Sequence, residues 1–172
     1  MISLRLPTRL DEEQIMSYRN EFIENNEKID GSAGLHLAKD FNTWYEDICA
    51  NRNECTLRDG FVQSYTYIAF DDENKNYIVG MVDMRQRLNN YLLQFGGHIG
   101  YSVRNSQRNK GYATEMIQIA IRIYKRHKIN SILITCDKEN IASRKVIEKN
   151  GGILENEILY NGNSLLRYWI TL

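Results

Sequence analysis

The sequence predicts an α/β fold of the α+β kind: a mixed central sheet of about six to seven strands flanked by about four helices. Three observations carry this. Strand-like and helix-like stretches alternate through the middle of the chain, from Gly97 to Lys149. Hairpin patterns stand on either side of that block, over residues 62–85 and 153–172. A short strand pattern and two amphipathic helix patterns precede everything else, within residues 1–60. There are no repeats or linkers, so residues 1–172 read as one domain.

Each element has a local reason. Ile2, Leu4 and Leu6 alternate with polar residues, which suits a first strand. A helix is expected from Asp11: Ile15, Tyr18 and Phe22 share a face, and Asp11, Glu12 and Glu13 put negative charge at its positive end. Residues 30–34, Asp-Gly-Ser-Ala-Gly, read as a loop. Asp40 can cap a second helix, whose Phe41, Trp44, Tyr45 and Ile48 form an apolar stripe. Val62–Phe70 and Tyr77–Arg85 are rich in β-formers and flank a polar turn over 71–76, an antiparallel hairpin. Leu88–Phe95 is a connector with aromatic content, and Gly97–Val103 is the central strand.

A long helix is expected from Gly111 to His127, with Ala113, Met116, Ile117, Ala120, Ile121 and Tyr124 on a sheet-facing side. Arg122, Lys125, Arg126 and Lys128 complement the dipole at its other end. Ser131–Cys136 is a continuous β run of the kind covered on both faces. Ile141–Lys149 is a helix that Gly151-Gly152 can end. The last two strands, 153–160 and 164–172, flank Asn161-Gly162-Asn163, a tight-hairpin signal.

Composition narrows the function. Lys plus Arg and Asp plus Glu each number 22, so there is no electrostatic case for a nucleic-acid partner. No apolar run reaches the length of a bilayer span, and the first residues lack the apolar core of a signal peptide. A cytoplasmic protein with no membrane partner is expected. Cys49, Cys55 and Cys136 show neither metal-ligand spacing nor a disulfide framework, so no metal site is expected.

The chemistry concentrates in residues 97–114, a strand, a polar loop and a helix start. The first amide N–H groups of a helix have no partner within it and sit at its positive end, where a phosphate binds well. Gly111 and Ala113 allow close approach to the backbone, and Arg108 and Lys110 add charge beside it. This reads as a diphosphate cradle. The same spacing also describes an ordinary helix start with two solvated basic residues.

Arg108-x-x-Gly111-x-Ala113 resembles the acyl-CoA signature of the GNAT N-acetyltransferase superfamily, and Ile99-Gly100-Tyr101-Ser102-Val103 resembles the strand that runs into it. Asn140-Ile141-Ala142-Ser143, followed by Gly151-Gly152, resembles the family's Asn-x-x-Ala/Ser helix and its exit. The resemblance is strong over residues 62–172 and loose before that. It implies the GNAT fold, in which the strands at 97–103 and 131–136, the fourth and fifth, are parallel neighbours that splay apart around the pantetheine arm. It implies acetyl-CoA, or coenzyme A, as cofactor. It assigns the Val103 backbone to the pantetheine, Tyr101 to the cofactor site, Asn140 and Ser143 with their neighbour Lys145 to the pantetheine or phosphate region, and Arg108, Asn109, Lys110, Gly111, Tyr112, Ala113 and Thr114 to the diphosphate. Residues 62–172 would then be the cofactor-binding core, and residues 1–60 would border the acceptor together with the 86–96 connector. The stripe containing Trp44 also reads as simple core.

Acetyl transfer to an amine needs close positioning, loss of the amine proton and a donor for the carbonyl oxygen. Many relatives carry Glu where this chain has His98, whose imidazole could serve as base or could simply hydrogen-bond within the fold. Asp83 on the neighbouring strand is the second candidate base. Many relatives use a tyrosine acid where this chain has Ile147, which leaves the thiolate to water or another group, or to depart with little help, and Tyr160 and Tyr168 as distant alternatives. The expected activity is direct acetyl transfer to a primary amine of a small molecule or a peptide. A CoA-binding sensor without turnover and a protein N-terminal acetylase stay open as alternatives, as does a homodimer.

Overall fold

Residues 1–172 have a described backbone in this computed structural model, and all side chains are described except those of residues 75 and 76. In chain order the elements are β1 (Ile2–Arg5), α1 (Glu12–Glu24), α2 (Phe41–Ala50), β2 (Ser64–Asp71), β3 (Asn74–Arg85), β4 (Ile99–Val103), α3 (Tyr112–Arg126), β5 (Ser131–Asp137), α4 (Ile141–Lys149), β6 (Ile153–Tyr160) and β7 (Asn163–Thr171). The α/β class therefore holds, with seven strands and four helices. The turn expected over 71–76 is shorter, since β3 already begins at Asn74.

The strands divide into two sheets, β1-β2-β3-β4 and β5-β7-β6, in place of one mixed sheet. Every ladder within them is antiparallel. The parallel pairing expected of β4 and β5 is not among these ladders. The two strands meet just before β4. There the His98 N–H donates to the Leu133 carbonyl at 2.7 Å, and the Leu133 N–H donates to His98 Nδ1 at 2.9 Å. A side chain thus satisfies an amide that a continuous ladder would have paired, and the strands are free to diverge.

Strand alternation sends β3 to two cores. Val82 and Met84 join Ile99 of β4, Met116, Ile117, Ala120 and Tyr124 of α3, and Ile132 and Ile134 of β5, so one core ties the two sheets together. Met81 joins Ile68 and Phe70 of β2 beneath Ile15, Tyr18 and Phe22 of α1 and Phe41, Trp44 and Ile48 of α2. Each of these large buried side chains contributes about 1.5–3 kcal/mol. Asp40 caps α2 by accepting from the Thr43 N–H at 2.8 Å. Among the described residues no helix is long and apolar enough to cross a membrane.

Candidate active site

The face of the first sheet beneath α1 and α2 changes character along its length. Ile68 and its partner Met81 are fully buried and apolar. Farther along, Thr66 pairs with Asp83 and Ser64 with Arg85, and the β4 partner of Asp83 is Gly100. Cross-strand partners share a face, so these residues form a polar floor with no side chain at Gly100. Asp83 is 3% exposed. Its Oδ1 accepts from the Thr66 hydroxyl at 3.0 Å, and its Oδ2 lies 3.3 Å from Arg85 Nε. Arg85 Nη1 in turn donates to the carbonyls of Gly96 and Gly97 at 2.9 and 3.1 Å. The carboxylate is therefore held in place from two sides.

Over part of this floor opens a cavity of about 590 Å³ that Asp83, Arg85 and Ser64 help to line. Trp44 and Asp47 of α2, with its C-cap Asn51, form one wall, and residues within 33–39, 58–62 and 89–92 supply the others. Trp44 is locked by donating its indole N–H to the Ser32 carbonyl at 2.7 Å. The loop before α2 also presses on β4: a Cβ at Gly31 would stand 2.2 Å from the Gly100 carbonyl oxygen. Arg85 and Arg58 were not singled out from the sequence. For Arg85 a signal existed, since it lies two residues after Asp83 and so on the same strand face.

The loop after β4 has the form of a cradle. Gly111 is the N-cap of α3 at φ +85°, with no side-chain cap, so the first amides of the helix are not claimed by a cap. Apart from its neighbours in the chain, no described atom lies within 4 Å of where a Gly111 Cβ would be. Asn109 is also left-handed, at φ +63°. The amides of Tyr112, Ala113 and Thr114 follow at the start of α3. Side chains here are largely committed elsewhere. Arg108 donates its Nη atoms to Glu27 and its Nε to the Val103 carbonyl at 3.2 Å. That pairing pulls the Glu27 carboxyl below its ordinary pKa. Lys110 donates to Gln107 at 2.8 Å and stays exposed. The Tyr112 hydroxyl donates to Asp71, which pushes the phenol up to about 12.

Between β4 and the start of α4, Tyr101, Ser143 and Asn140 come together. The Tyr101 hydroxyl lies 2.7 Å from Ser143 Oγ, and Asn140 Oδ1 caps α4 by accepting from the Ser143 N–H at 3.1 Å. Ile147 is fully buried one turn farther on. The Tyr168 hydroxyl donates to Glu148, and Tyr160 and Tyr91 face each other by their hydroxyls at 3.1 Å. Burial pushes the Cys136 thiol up to about 11, so it carries little thiolate.

His98 is 7% exposed and does not line the cavity. Its Nδ1 is taken by the Leu133 N–H, so the neutral ring carries its proton on Nε2. Burial, with the nearby Arg85 charge, pulls its pKa down to about 4. At neutral pH the ring is uncharged and its basic nitrogen is occupied.

The profile of the Acetyltransferase (GNAT) domain matches residues 3–153. No curated protein matches the sequence. Solved structures match over nearly the whole chain. The ribosomal-protein-S5-alanine acetyltransferase from Vibrio fischeri has a TM-score of 0.70 at 18% identity, covering 99% of this chain and 92% of that one. Mutant forms of the spermidine/spermine N-acetyltransferase SpeG from Vibrio cholerae give 0.66 at 17%, covering 99% and 93%. RimL, a ribosomal L7/L12 alpha-N-protein acetyltransferase solved in complex with coenzyme A, gives 0.68 at 18%, covering 99% and 94%. At such identities these likenesses speak for the fold.

Proposed function

The chain belongs to the GNAT acetyltransferase family, and from that premise we propose that it acetylates a primary amine bound in the cavity beside α2, by direct transfer from acetyl-CoA. The cofactor, when bound, supplies an acetyl group already activated as a thioester. The amides of Tyr112, Ala113 and Thr114 bind the diphosphate at the positive end of α3, and Lys110 adds charge beside it. Asn109 and Gly111 shape that loop through their left-handed backbones. Arg108 steadies it through Glu27 instead of touching phosphate. Tyr101, Val103, Asn140 and Ser143 border the pantetheine where the sheets part.

The amine must be neutral to attack. Asp83 is the buried one of the two carboxylates that line the cavity and the one beside Gly100 of β4, and it orients the amine and accepts its proton. Arg85 and Thr66 hold that carboxylate in position. His98 serves as the link between the two sheets. The three cysteines are free thiols, as suits the cytoplasm we expect for it.

The observation that carries this reading is the adjacency of parts. A bare stretch of β4 at Gly100 adjoins Asp83, which lines an amine-sized cavity, while the strand's other end runs into an uncapped helix start. A sensor that only bound the cofactor would not need the cavity. Relatives in the same fold are described as acting on ribosomal proteins and on spermidine or spermine, so the acceptor is a small-molecule amine or a peptide. The test is thiol release from acetyl-CoA with a panel of amines, beside calorimetry of coenzyme A. Gly111→Val should weaken coenzyme A binding at least tenfold in a variant that still melts cooperatively. Unchanged affinity would remove the cradle from the mechanism.

A further inference from the structure

The lining of the acceptor cavity is electrostatically lopsided. Lys39, Arg58 and Arg85 face it against the carboxylates of Asp47 and Asp83. Both carboxylates are already paired: Asp47 with Arg58 at 2.7 Å, and Asp83 with Arg85 at 3.3 Å. A free carboxylate for a second ammonium is missing from this lining, and one positive charge is left over. The Arg58 guanidinium has five N–H donors, meets Asp47 through one of its nitrogens, and its side chain is 56% exposed. Lys39 lines the same cavity and is exposed.

Two further features describe the rest of the ligand. Phe61, Tyr91 and Leu37 line the cavity and are 52%, 54% and 81% exposed. Together with the buried Trp44 they give it apolar sides, which suit an uncharged hydrocarbon span. Asn51 also lines the cavity, is 6% exposed, and its Oδ1 has no hydrogen-bond partner. A buried acceptor left without a donor costs free energy, and a ligand N–H would satisfy it.

We propose that the acceptor is an amine that carries a carboxylate at the far side of an apolar span, with Arg58 and Lys39 receiving the carboxylate and Asn51 accepting from a ligand N–H. This rests on the acetyltransferase reading above and names the substrate class for it. A polyamine is the wrong partner, because its second ammonium would meet Arg58 and Lys39 in place of a free carboxylate. The surplus positive charge also favours the neutral form of the reacting amine, which lightens the load on Asp83.

The test compares molecules that differ in one group. Thiol release is measured with 4-(aminomethyl)benzoate against 4-methylbenzylamine, with 6-aminohexanoate against hexylamine, each pair exchanging a carboxylate for a methyl, and with spermidine. Tripeptides with Asp or Lys at the second position distinguish a free acid from an acidic peptide N-terminus as the source of the carboxylate. At least one acid-bearing member should exceed its methyl counterpart in kcat/KM by about five- to tenfold, the effect of a partly exposed charge-assisted pair. Spermidine should be the poorest acceptor. Arg58→Glu should reverse the order, raising spermidine and lowering the acid. Spermidine as the best acceptor, or an order that Arg58→Glu leaves intact, would overturn this inference and leave the enzyme reading standing. Cofactor binding without thiol release on every amine would overturn both.

Discussion

His98 shows how one residue's environment decides its use. Its ring nitrogen replaces a main-chain acceptor for Leu133, and its pKa falls from the ordinary 6.5 to about 4. As pH drops, the unfolded chain takes up that proton before the folded one does. The stability gained from His98 is therefore full above pH 6.5 and is lost as pH falls toward 4. Between pH 7 and pH 5 the loss should be about 2 kcal/mol. Urea denaturation at the two pH values should show this loss in the wild type. It should be absent in His98→Asn, which cannot take up a proton there. Equal losses in both proteins would place the acid sensitivity elsewhere. Asp83 lines the cavity instead. Asp83→Asn keeps the shape of the floor but removes the proposed proton acceptor, so kcat should fall by about 10²-fold or more with little change in coenzyme A affinity. A variant that retained full turnover would exclude Asp83 from proton transfer.

At the level of elements, the connection from α1 to α2 decides how the cavity is closed. Gly31 lies at φ +70° with its α-carbon against Gly100, so any side chain must push the loop off β4. Gly31→Ala is expected to cost about 2 kcal/mol or more. It should also raise the acceptor KM while leaving calorimetric binding of coenzyme A within about twofold, since the cradle lies at the other end of β4. Equal damage to both would mean that the loop supports the cofactor side as well. The elements themselves were legible from the sequence. The α3 stripe of Met116, Ile117, Ala120 and Tyr124, the Asp40 cap and the Asn161-Gly162 turn stand as expected. The partner of Arg108 was not legible. Spacing showed a basic residue beside a helix start, and only folding brings Glu27, 81 residues away in sequence, to it.

At the level of the whole molecule, two sheets share one core, with β4 and β5 as edge strands that form no ladder with each other. A ligand seated across these two edges should act as a strap between the sheets. Coenzyme A at about 100 times its Kd should add about 2.7 kcal/mol and raise Tm by roughly 5–10 °C. Hydrogen exchange should slow in β5 and in the first turn of α3 together. Protection confined to α3 would mean that the pantetheine does not reach between the sheets. Local sequence was enough to specify the elements, their order and the glycine at the start of α3, because periodicity, capping and turn chemistry act over a few residues. It also carried the family signature, since that signature is contiguous. Folding in three dimensions was needed to set the strands in two sheets, to bind His98 and Arg108 up in internal contacts, and to open a cavity with surplus positive charge beside Asp83. Those outcomes depend on which distant side chains packing brings within hydrogen-bond reach, and no local spacing encodes that.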